Sequence, residues 1–134
     1  MVLVCVTDQE SCDRLIYAGR SLALHEGIDL KVICVRPKKA ERWLASDEVE
    51  YLFNVAKELQ AEMLVFFKDN AAQTVAAYAR DNAVSYILVG MPPEPGNSIF
   101  ITTLEDECPE IPVITVDRSG SLQLVPVTRE FPEN

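Results

Sequence analysis

Along this chain, short runs of consecutive apolar residues alternate with longer stretches whose apolar residues recur every third or fourth position. The short runs cover residues 2–6, 33–35, 63–67, 86–89 and 113–116. A strand that is apolar at successive positions must be buried on both faces, as in a parallel sheet covered by helices. Between the runs, Leu15, Ala18, Leu22 and Ala23 mark one helical stripe, and Gly27 stands where that helix should end. Val49, Leu52, Phe53, Ala56 and Leu59 mark a second stripe. Thr74, Val75, Ala77, Tyr78 and Ala79 mark a third, with Asp69 or Asn70 as its N-cap. A fourth, weaker pattern runs from about 98 to 107. The order β-α-β-α-β-α-β-α-β predicts an α/β fold, a single-domain three-layer sandwich around five parallel strands.

Two segments depart from that rhythm. Residues 36–46 (RPKKAERWLAS) are too polar for a core and predict a loop into the second helix. After residue 117, Asp-Arg-Ser-Gly reads as a turn, and Leu122, Leu124 and Val127 suit a short antiparallel edge strand. Pro126 keeps that strand out of a sheet centre. The expected organisation is therefore an α/β domain over 1–117, then a turn, edge strand and frayed tail over 118–134.

Composition narrows the partners. The 134 residues carry 12 Lys+Arg against 21 Asp+Glu, a formal charge of −9, which argues against nucleic-acid binding through a basic face. No apolar run approaches the roughly eighteen residues of a membrane helix. The apolar start lacks a basic flank and ends in Thr7-Asp8, so no signal peptide is expected and the cytoplasm is the expected location. Cys5, Cys12, Cys34 and Cys108 show no metal-binding spacing, and His25 is the single histidine, so no metal site is expected and the thiols are read as reduced.

In open α/β sheets, ligands bind beyond the carboxyl ends of the strands, near the point where strand order reverses. The first strand delivers Thr7, Asp8, Gln9 and Glu10 there, and the second Arg36, Lys38 and Lys39. The third delivers Lys68 and Asp69, and the fourth delivers Gly90, Met91 and the loop to Ser98. Four of twelve basic residues thus fall on one rim of an acidic chain. Together with helix N-termini they could hold an anion; the bland alternative is that loops are simply where charges go.

These elements resemble the universal stress protein family. The resemblance rests on Val2-Leu-Val-Cys-Val-Thr7, Ala56-Lys-Glu-Leu-Gln-Ala61 and Asp69-Asn-Ala-Ala-Gln-Thr-Val75. It continues through Tyr86-Ile-Leu-Val-Gly90 and Ile111-Pro-Val-Ile-Thr-Val116. It implies a parallel strand order 3-2-1-4-5, an adenine-nucleotide-binding-like cleft, and pairing into a homodimer through the last strand, unless residues 121–127 cover that edge. The chain is also similar to the stress-protein domain of potassium-responsive sensor histidine kinases, without a kinase portion.

The family's phosphate signature, G-x2-G-x9-G-[ST], is altered here. Gly90 matches its first position, but the second falls on Pro93, and the last two fall on Thr103 and Leu104. Counting back from the proline before the fifth strand puts Ile99 and Phe100 there instead. The loop is about four residues short of the pattern. Gly96, Asn97 and Ser98 remain to cradle an anion, while the prolines and Glu94 oppose it. The family's acidic residue at the end of strand one aligns with Thr7, and Asp8 lies one position late.

Other residues offer less. Cys12, expected in the first turn of helix one, reads as a quiet, half-exposed thiol despite the acidifying position. Cys5 and Cys34 read as core, and Cys108, before a proline, as open to solvent. His25 reads as structural, and Trp43 as packed on the second helix. Asp8, Glu10 and Asp69 loosely imitate a response-regulator receiver, but Asp117-Arg118 stands where its lysine should be. No nucleophile and base are assembled, so an enzyme is not expected. What is expected is a regulatory module with a degenerate ATP motif and no resident cofactor, acting by dimerisation or docking to a protein partner. The alternative is an ATP-, AMP- or small-anion-binding protein using Thr7, Asp8, Arg36, Gly90, Gly96, Asn97 and Ser98.

Overall fold

Strand β1 (Val2–Val6) hydrogen-bonds to a parallel neighbour on each side, β2 (Leu30–Arg36) and β4 (Tyr86–Gly90). This computed structural model describes residues 1–7, 9–39, 47–92 and 98–124. Strand β3 (Glu62–Phe67) pairs parallel with β2, and β5 (Val113–Val116) pairs parallel with β4. A short β6 (Leu122–Leu124) runs antiparallel along β5, giving a six-stranded sheet in the order β3-β2-β1-β4-β5-β6. The parallel core has the expected order 3-2-1-4-5, with the expected antiparallel strand at its edge. The order also excludes the receiver arrangement, in which β1 lies between β2 and β3.

Period-two alternation within β1 divides the core. Val2, Val4 and Val6 join the cluster under helices α1 (Asp13–Glu26) and α2 (Asp47–Glu58). Leu3 and Cys5 face the opposite cluster, under α3 (Ala71–Asp81) and α4 (Ile99–Glu107). Both faces of β1 are therefore dry, which is why its sequence is apolar at every position. The other strands run slightly longer than their apolar runs. Lys31 and Glu62 sit at the start of β2 and β3, where they pair at 3.3 Å on the surface.

Helix ends follow local chemistry. Gly27 takes a left-handed conformation (φ 69°) and Ile28 N–H donates to Ala23 O, closing α1. Asn70 rather than Asp69 caps α3, its Oδ1 accepting from Gln73 N–H at 3.1 Å. Ser98 caps α4 in the same way, accepting from Ile101 N–H.

Gly19 lets α1 lie close to the sheet. A methyl there would overlap Val4 Cγ2 and come within 2.9 Å of Leu30 Cδ1. In an open helix, Gly→Ala is worth about 1 kcal/mol of propensity. Here overpacking, typically about 1–3 kcal/mol, opposes it. Because the β-branched Val4 cannot swing aside, the clash should win. We expect Gly19→Ala to lower the urea-unfolding free energy by about 1 kcal/mol; an unchanged or raised midpoint would show that α1 has room to shift.

Candidate functional site

The strand order reverses between β1 and β4, and an open cleft lies beyond their carboxyl ends. Its inner wall is apolar, formed by Ile33, Val35, Val75, Val89 and Phe100. Its rim carries Thr7, Gln9 and Ser11 from the β1–α1 connection, and Gly90 from the end of β4. Arg14 and Ser119 lie on the polar side together with two carboxylates, Asp13 and Asp117, and a second cation, Arg118.

Thr7 and Gly90 both line the cleft, whereas Arg36 and Ser98 are not among its lining residues. Arg36 ends β2 opposite Phe67, and its carbonyl accepts from Lys68 N–H at 2.8 Å. Asp69 Oδ1 accepts from the backbone N–H of Lys38 at 3.0 Å, tying the β2 and β3 ends together. Asp8, Gly96 and Asn97 lie outside the described residues, as do Trp43, Pro93 and Glu94. Among the described residues, no cluster of His, Cys, Asp and Glu could hold a metal ion, and no helix is long and apolar enough to cross a membrane.

The residue that sequence reasoning missed is Arg14. Its Nε donates to Asp117 O at 3.0 Å and its Nη1 to Ser11 O at 2.6 Å, so the side chain crosses the end of β4 from α1 to β5. A Cβ built on Gly90 would lie 3.7 Å from Nη2. Both acceptors are neutral carbonyls. Two carboxylates line the same cleft, and each accepts from neutral donors other than Arg14. Asp13 Oδ2 accepts from Tyr51 Oη at 2.7 Å. Asp117 Oδ1 accepts from Ser119 Oγ and from the backbone N–H groups of Ser119 and Ser121. The Ser119 hydroxyl and these backbone donors hold the Asp117 carboxyl below its ordinary range. The signal in the sequence was slight: a cation in the first turn of a helix, against the dipole, with a contact 103 residues away.

The cysteines differ from expectation at two places. Cys12 is buried rather than half-exposed, because the 3-10 turn Glu10–Cys12 folds its Sγ back to within 3.3 Å of Thr7 Oγ1. Cys108 is also buried, its Sγ donating to Ala76 O, since the end of α4 packs on α3. Burial pushes the Cys5 thiol up from 9.0 to about 12, with Cys34 adding to the shift. The folded state therefore retains a proton that the unfolded chain releases in alkali. The stabilisation is fully present below the ordinary thiol range and lost as pH climbs towards about 12. We expect the fall in urea-unfolding free energy between neutral and alkaline pH to be shallower in Cys5→Ala than in the wild type. Parallel profiles would remove Cys5 as its source.

Neither a family profile nor a curated protein matches this sequence. Solved structures do. A universal stress protein from Archaeoglobus fulgidus superposes with a TM-score of 0.64 at 12% identity, over 84% of this chain and 89% of that one. A universal stress protein family protein from Arabidopsis thaliana, with AMP bound, gives 0.52 at 14% identity, over 88% and 92% of the two chains. An N,N'-diacetylchitobiose deacetylase from Pyrococcus horikoshii gives 0.51 at 9% identity, covering 85% of this chain but 59% of its own. These likenesses establish the architecture, which is the universal-stress-protein fold.

Proposed function

We propose that this chain is a regulatory module of the universal-stress-protein type that does not bind Mg-ATP in the ordinary way and acts by dimerising or docking to a protein partner. The observation that carries the reading is the exit from β4. Gly90 is followed by Met91, Pro92 and Pro93, so two successive positions lack the N–H groups a phosphate-wrapping loop offers. Ser98 caps α4 and stands away from the cleft lining. Such a module needs no catalytic group; the hydroxyl–carboxylate pair on the rim, Ser119 with Asp117, belongs to the turn into β6.

For self-association, β6 covers the edge of β5, so pairing through the last strand would use the outer edge of β6. Leu122 is 40% exposed there. A second reading, binding of AMP or another small anion in the cleft, is favoured by Arg14 and by the AMP-bound Arabidopsis neighbour.

Native mass spectrometry of protein purified without nucleotide, then titrated with ATP or AMP and magnesium, tests both readings. The regulatory reading expects a dimer mass and no saturable ATP adduct at millimolar ligand. A retained or saturable ATP would overturn it, and saturable AMP alone would select the second reading.

A further inference from the structure

We infer that Arg14 anchors a compact oxyanion, the phosphate or carboxylate head of a small ligand whose flat apolar body lies along the inner wall of the cleft. The inference rests on the second reading, that the cleft is a ligand site, and names its recognition group and ligand class.

The charge argument comes first. Arg14 occupies the first turn of α1, whose N-terminus already carries partial positive charge. A guanidinium there adds to that potential instead of offsetting it. Its only described hydrogen bonds are to the carbonyls of Ser11 and Asp117, which fix its position without neutralising it. Asp13 and Asp117 are the adjacent carboxylates, and each accepts hydrogen bonds from other groups. Both hydrogens of Nη2 and one of Nη1 have no described partner, which leaves donors for an oxyanion.

The shape argument is independent. The guanidinium lies over Gly90, where no side chain screens it, and the wall behind is formed by Ile33, Val35, Val75, Val89 and Phe100. A cation at the mouth of an apolar cleft matches a ligand with one anionic head and a flat apolar body. The head needs no glycine-rich loop, because the anchoring donors come from α1. Loss of ordinary phosphate wrapping after β4 is therefore compatible with anion recognition.

The test uses phenyl phosphate and AMP as probes, read by amide chemical shifts and calorimetry on the full chain. We expect both to bind, with shifts at Thr7 and Gly90, and Arg14→Met to weaken both about ten- to hundredfold. Because Arg14 also tethers α1 to Asp117, Gly90→Asp provides a second variant. It leaves Arg14 in place and sets a carboxylate beside Nη2, where a Cβ has ordinary space. It should abolish binding of both probes while thermal unfolding stays near wild type. Binding of AMP that neither variant changes would overturn the anchor and leave the second reading standing. Failure of both probes to bind the wild type would overturn the two together.

Discussion

Strand β1 is bonded through its backbone to β2 on one side and β4 on the other, while Val2, Leu3 and Val4 are fully removed from water. A strand in that position has no solvated face, so each face needs a layer of helix. Parallel neighbours also force the chain to cross over between strands, and the crossovers supply those helices. The close approach of α1 at Gly19 and the division of the core into two clusters both follow from covering this strand. So does the place of the cleft. Connections leave β1 and β4 towards opposite faces, and a crevice opens where they diverge.

At that crevice the rim is electrostatically uneven. The chain as a whole is acidic, yet the group crossing the end of β4 is a guanidinium held by carbonyls. The neighbouring carboxylates are turned to other work. Asp13 meets Tyr51 of α2, and Asp117 organises the turn into β6. A cation so fixed is pre-organised, since its side-chain freedom is already lost before any ligand arrives. The prolines after Gly90 act in the opposite sense, removing backbone donors from the neighbouring loop. The cleft end thus presents a fixed side-chain cation beside a segment poor in backbone donors.

The Asp117 turn also decides the sheet's edge. Its carboxylate gathers Ser119 and Ser121, Gly120 adopts φ 88°, and the chain reverses to lay β6 on β5. Thr115 Oγ1 donates across to Gln123 O, reinforcing the pair. The strand available for edge pairing on this side is then a short polar-and-apolar segment instead of the fully buried β5. Shared fold alone does not say what meets that edge.

Much of the architecture was legible from local pattern. Consecutive apolar residues marked the buried strands, three- and four-residue spacing marked the helices, Gly27 marked the end of α1, and the start of α3 was narrowed to Asp69 or Asn70. Those features depend on neighbours a few residues apart, so the sequence by itself determined them. The burial of Cys12 and Cys108 did not follow from their local sequence, because each is enclosed by elements packed from elsewhere. Thr7 and Gly90 could be placed at strand ends, but their place on one cleft depends on β1 lying beside β4. Arg14 shows the limit most clearly. In sequence it is one more charged residue at a helix start, and only the folded sheet carries the Asp117 carbonyl to its Nε and leaves Gly90 bare beneath it. Tertiary structure alone decided that cation's position, because a long-range contact is set by which strands become neighbours.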